Sequence, residues 1–228
     1  MKKLLFAIFA HPDDEAFGPA GTLLLETRAG TELHLITLTD GASGENPDHH
    51  ADLSQVRLDE WRRSGEVLGA SSMHHLGYHD GHLGNIDMQT ATTHVLELIQ
   101  TAADAQTEDY EIELLSFDTN GVTGHIDHII ASRIAHYVYY TLRHASAPVT
   151  RLRLACLSQK ATGSKPNLDF VYMEPGRPPE EVDEIVDARH LAEEVYAIIR
   201  CHRTQRADGE SKITQFGEEI ALDYFVIK

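Results

Sequence analysis

Two cysteines among 228 residues, Cys156 and Cys201, are too few for a disulfide framework and read as structural thiols in a reducing compartment. Basic residues are scarce: 19 Lys and Arg stand against 36 Asp and Glu, a net charge of −17. So acidic a surface repels phosphate backbones and anionic headgroups, which argues against nucleic-acid or membrane partners. No apolar run reaches the ~20 residues needed to span a bilayer. The opening MKKLLFAIFA has the lysines and apolar stretch of a signal peptide but no small-residue cleavage region, and it runs straight into HPDDE. It therefore reads as a buried first strand of a cytoplasmic protein. The composition, 42% hydrophobic and 24% charged, is that of an ordinary globular chain and excludes disorder as the dominant state. Histidine is the residue in excess, with 15 copies.

Residues 1–157 alternate short apolar runs with stretches of helical period. Strands are expected at 3–9, 32–38, 72–76, 111–117 and 151–157, and helices near 18–29, 51–69, 90–104 and 126–142. In the last of these helices Ile130, Ile134, Tyr137 and Val138 make the apolar stripe. Such alternation predicts an α/β fold of the Rossmann-like, doubly wound kind, with a mostly parallel sheet covered on both faces. Residues 158–228 read as a C-terminal β/α appendage to the same single domain. It contains a short run LDFVYM, a strand at 182–187, a helix at 188–204 and a last strand in the tail.

Polar residues converge after the strands: His11, Asp13 and Asp14 after the first, Asp40 after the second. His79, Asp80 and His82 follow the third, and Asp118, His125, Asp127 and His128 the fourth. In a parallel sheet these loops share the carboxyl edge, where open α/β sheets bind ligands. Histidine and carboxylate without nearby cysteine suit zinc or another divalent transition metal, one per chain, in a site with an open position. His11, Asp14 and His128 are the favoured trio. The plainer reading of AHPDDE alone is a strand-to-helix turn with an aspartate cap.

Through AHPDDEAFGPAGTL at 10–23 and GHIDH at 124–128, the chain resembles the PIG-L/LmbE-like family of zinc-dependent N-deacetylases. VRLDEWRRSGEVLGA at 56–70, LGYHDGHL at 76–83 and CHRTQ at 201–205 add support. The resemblance implies a Rossmann-like fold and hydrolysis of the acetamide of an N-acetylglucosamine-type sugar or conjugate. It implies His11, Asp14 and His128 as metal ligands and Asp13 as general base. His125 would stabilise the oxyanion, the proton for the leaving amine would come from His125 or from Asp13 after it has taken the water's proton, and Asp127 would orient or charge-tune His125. Arg57 and Asp80 would bind the sugar, while His202 and Gln205 would support the site from behind. Relatives often assemble as homo-oligomers. Two departures stand out: Ile126 replaces a proline of many members, and Thr123 stands where some carry a tyrosine that could donate a proton.

Three other readings compete. The same fold could serve an amidase of a thiol conjugate, or a metal-binding module without turnover. DHH at 48–50 resembles a motif of two-metal phosphoesterases, but it lies in a loop that reads as a lid segment.

Overall fold

The apolar run after Met1 becomes the central strand. β1 (Lys2–Phe9) pairs in parallel with β2 (Glu32–Thr39) on one side and β4 (Tyr110–Phe117) on the other. β3 (Ser72–Tyr78) extends the parallel sheet beyond β2, and β5 (Val149–Cys156) extends it beyond β4. Two antiparallel strands close the far side, with β6 (Glu184–Asp187) outside β7 (Leu222–Ile227). The computed structural model describes residues 1–162 and 175–228, and among these the strands form one sheet in the order β3-β2-β1-β4-β5-β7-β6. This is the expected Rossmann-like, mostly parallel α/β fold. The segment after residue 175 adds β6 and β7 to the same sheet. The run LDFVYM at 168–173 lies outside the described residues.

Two apolar cores sandwich the sheet, because alternate strand residues point to opposite faces and both faces are covered. On one face Leu5, Leu33 and Leu115 meet α2 (Ala20–Arg28), α3 (Leu53–Leu68) and α8 (Ala192–Ile199), through Leu23, Trp61, Val195 and Ile198. On the other, Phe6, Ile36 and Leu114 meet α4 (Asn85–Asp104) and α6 (Ile126–His144), through Val95, Ile99, Ile134 and Val138. Tyr137 does not join that stripe; it is 56% exposed. A buried Arg153 ties strands to helix by pairing with Glu113 and Glu26, which compensates the cost of a charge away from water.

The helix expected over 188–204 is interrupted. A 3₁₀ turn at Arg189–Leu191 precedes α8, and a second at Arg203–Gln205 follows it. After those turns comes α9 (Arg206–Phe216), which the sequence did not announce because its apolar pattern is weak. Gly209 lets it pack: a Cβ there would lie 2.8 Å from Ile199 Cγ2. Shorter helical turns are α1 (Asp14–Phe17), α5 (Gly121–Gly124) and α7 (Gln159–Thr162). Among the described residues, no helix is long and apolar enough to cross a membrane.

Candidate active site

The strand order sets β1 beside β4, so the loops carrying AHPDDE and GHIDH face each other at the carboxyl edge. His11 lies in the loop after β1, and its Nε2 lies 3.0 Å from Asp80 Oδ1 and 3.4 Å from Asp127 Oδ2. Carboxylates only accept, so Nε2 carries a proton and Nδ1 is the atom turned to the ligand side. Asp14 Oδ2 accepts the backbone N–H groups of Ala10 and His11, each at 2.9 Å, which folds the loop around it. Its other oxygen lies 3.2 Å from His128 Nε2.

His128, in the first turn of α6, donates from Nδ1 to the Gly121 carbonyl at 3.0 Å, leaving the Nε2 lone pair inward. Its ring packs on Phe117, centroids 4.7 Å apart. Gly121 has φ +71, and a Cβ there would meet His128 Cβ at 3.1 Å, so only glycine lets the carbonyl stand at this ring. His11 Nδ1 and His128 Nε2 are 3.1 Å apart. Ligands bound tetrahedrally at ~2.0–2.1 Å from zinc are separated by roughly 3.4 Å; His128 Nε2 stands at about that spacing from both His11 Nδ1 and Asp14 Oδ1, while the nearest Asp14 oxygen to His11 Nδ1 is Oδ2, at 3.8 Å. Among the described residues, the sets whose donor atoms all lie within 4.8 Å of one another are His11, His125 and His128, and His11, Asp80 and Asp127; Asp14 joins neither. In that last set the carboxylates are already committed to backbone N–H groups. Asp80 Oδ2 accepts from Ser43, and Asp127 accepts from Gly81 and Leu83.

Asp13 sits at φ 126, a conformation uncommon outside glycine, and its carboxylate is held from behind by Arg57. Arg57 is 4% exposed. Its Nη2 donates to Asp13 Oδ2 at 2.8 Å and to the Pro12 carbonyl at 2.7 Å, and Nη1 donates to the Gly41 carbonyl at 2.5 Å. A Cβ at Gly41 would fall 2.5 Å from Nη1, so the guanidinium threads a channel that glycine opens. The expectation that Arg57 reaches sugar hydroxyls meets a side chain turned inward. Asp80, likewise expected at the sugar, is buried against His11 and the Ser43 amide. Asp127 carries its hydrogen bonds to the 81–83 loop and His11 rather than serving His125 alone, although its charge also acts on His125.

Burial dominates the electrostatics. It raises the Asp13 carboxyl above the ordinary range despite the Arg57 charge. Burial would raise Asp14 too, but the neighbouring His128 and the hydrogen bonds to both histidines hold it well below. Burial lowers His125, and the neighbouring His11 and His128 lower it further, so it is neutral near pH 7. Its Nδ1 accepts the Asp127 amide at 3.2 Å, capping α6, which puts the proton on Nε2.

Glu15 closes the AHPDDE motif, yet sequence reasoning passes over it. It is fully buried and accepts the Asp13 amide at 3.2 Å and His202 Nε2 at 2.7 Å. His202, just past the end of α8, thus reaches the Asp13 loop through a carboxylate. Glu60, three residues from Arg57, binds Thr204 through its amide and hydroxyl, and Gln205 donates to the Glu45 carbonyl. The 48–50 segment is tied to α9 by a two-bond pair between Asp48 and Arg206.

Residues 6–139, from β1 to α6, match the family described as PIG-L, GlcNAc-PI de-N-acetylase. The chain belongs to this family. A PIG-L relative from Acidothermus cellulolyticus, 1D-myo-inositol 2-acetamido-2-deoxy-alpha-D-glucopyranoside deacetylase, is 25% identical over 91% of this chain and 81% of its own length. Among solved structures, the N,N'-diacetylchitobiose deacetylase of Pyrococcus horikoshii superposes with a TM-score of 0.68 at 20% identity, covering 100% of this chain and 84% of that one. GalB, a 4-carboxy-2-hydroxymuconate hydratase from Pseudomonas putida, gives 0.67 at 16% identity, covering 100% and 96%. These two likenesses establish the fold. That a deacetylase and a hydratase share it means the reaction of this PIG-L protein must be argued from its own site.

Proposed function

We propose that the protein is a zinc-dependent N-deacetylase that hydrolyses the acetamide of a small N-acetylglucosamine-type sugar or conjugate in the cytoplasm. The observation that carries this reading is the approach of His11 Nδ1 and Asp14 Oδ1 to His128 Nε2, close enough to the Asp13 carboxylate for His11 and Asp14 to act on its charge. Two imidazole nitrogens and a carboxylate are donors suited to a divalent metal, which would supply Lewis acidity and bring the pKa of a water to ~7.

The chain's own groups do the rest. Asp13, with its carboxyl raised above the ordinary carboxylate range by burial, takes the proton of the attacking water as its oxygen joins the acetyl carbon. One oxygen of Asp13 is held by Arg57, which fixes the direction of that transfer. His125 offers a neutral Nε2–H to the developing oxyanion. The amide nitrogen must be protonated before the C–N bond breaks. The protonated Asp13 is the source in this reading, because Thr123 has no acidic proton to give. Acetate and a free amine result. Neither Arg57 nor Asp80 is left to bind the sugar; both position the groups that react.

The test is acetate release from N-acetylglucosamine and simple glucosaminides, with and without added zinc. Coupled amine and acetate formation supports the reading. A protein that binds metal but leaves every N-acetyl sugar intact would instead support a metal-binding module.

A further inference from the structure

At the carboxyl end of β4, Asp118 is 2% exposed and is gripped by Arg177 from the C-terminal segment. The guanidinium donates Nε to Asp118 Oδ2 at 2.7 Å and Nη2 to Oδ1 at 3.0 Å, while Nη1 goes to Glu181 at 2.7 Å. With these nitrogens committed, Arg177 is poorly placed to recognise a ligand itself. Its backbone is stitched to the end of β5: its amide donates to the Leu157 carbonyl at 2.7 Å, and its carbonyl accepts from Gln159 at 2.8 Å. Asp118 in turn shapes the loop leading to the site. Its Oδ1 accepts the Thr119 amide at 2.7 Å, and its carbonyl accepts the Gly121 amide at 2.8 Å. Gly121 then receives the Nδ1 proton of His128.

We infer that Arg177 and Asp118 are a positioning pair that fixes the 118–121 turn, and through the Gly121 carbonyl sets the tautomer and aim of His128. The inference rests on His128 being a metal ligand. A planar fork on both oxygens of a buried carboxylate fixes orientation as well as charge, which a lysine could not reproduce. Without it, Asp118 keeps a buried charge and the turn loses its outer support. Groups that orient a ligating histidine tune metal affinity by ~10–100-fold when removed.

The experiment compares Arg177→Gln, Arg177→Lys and, as a control on an exposed two-bond pair, Arg200→Gln, whose partner is Glu210. Zinc affinity is measured by chelator competition, and the His128 ring tautomer by nitrogen NMR of zinc-free protein. Arg177→Gln should weaken zinc by ~10-fold or more and mix the tautomers, with Arg177→Lys in between and Arg200→Gln unchanged. Parental affinity and tautomer in folded Arg177→Gln would overturn the inference, as would equal losses in Arg200→Gln. If Arg177→Gln does not fold, Arg177→Lys decides alone: parental zinc affinity and tautomer in it refute the positioning role. His128→Ala separates the two claims: if it binds zinc as the parent does, the ligand assignment itself falls.

Discussion

Replacing Arg57 by alanine removes three hydrogen bonds at once from a buried site. The guanidinium satisfies the Gly41 and Pro12 carbonyls and one oxygen of Asp13, and it is buried. Breaking a buried pair by deleting one partner costs about 3–5 kcal/mol, and orphaned buried carbonyls cost about 1–3 kcal/mol each; these overlap, so a stability loss of about 3–5 kcal/mol is expected. The kinetic effect follows from Asp13. Its strained backbone and carboxylate lose the anchor that Arg57 provides, and misplacement of a reacting group by about 1 Å costs ~10²-fold in rate. The loss should therefore fall on kcat, with KM little changed. A second signature is the pH profile. Arg57 opposes the burial that raises Asp13, so its removal raises that carboxyl further and moves the acid limb of kcat to higher pH. Steady-state kinetics on an N-acetylglucosaminide from pH 5 to 9, with zinc content and thermal unfolding as controls, reads all three. A raised KM with unchanged kcat would refute this reasoning and return Arg57 to the sugar.

Other substitutions separate binding from chemistry. Asp13→Asn should retain zinc and lose turnover by ~10²-fold or more, measured as acetate release against metal content. His125→Ala should lose ~10²–10³-fold in kcat through the missing oxyanion donor, and parental rates would contradict its role. Asp223, whose carboxyl accepts Thr22 through its amide and hydroxyl, is pushed up by burial to about 6 from an ordinary 3.8. The folded chain then holds this proton more tightly than the unfolded one, so the group's contribution is most favourable below pH ~4 and is lost as pH rises through about 6. At about 1.4 kcal/mol per pH unit, this amounts to about 3 kcal/mol. Urea unfolding should therefore show Asp223→Asn gaining stability relative to the parent between pH 4 and pH 7.

The sheet was readable because its strands are apolar runs between helical stretches, and β1 could be told from a signal peptide because it leads directly into HPDDE. The same pattern brought AHPDDE and GHIDH to one edge. The inner wiring was less readable. Arg57 on a helix next to a polar loop looks the same in sequence whether it points to solvent or through the channel beside Gly41. Asp80 and Asp127 were visible as loop carboxylates, but their shared orientation toward His11 Nε2 depends on backbone donors at Ser43, Gly81 and Leu83. The pairing of Asp118 with Arg177 spans 59 residues and has no local signature. α9 was missed because packing through Gly209, rather than amphipathic period, holds it in place.

Amide cleavage by this protein should require a metal held by His11, Asp14 and His128. The direct measurement is acetate release from an N-acetylglucosaminide by chelator-stripped protein titrated with zinc, beside an Asp14→Ala variant. The expected result is no acetate without metal, recovery that saturates at about one zinc per chain, and no recovery in the variant. Acetate release by the stripped protein, or full activity in Asp14→Ala, would contradict it.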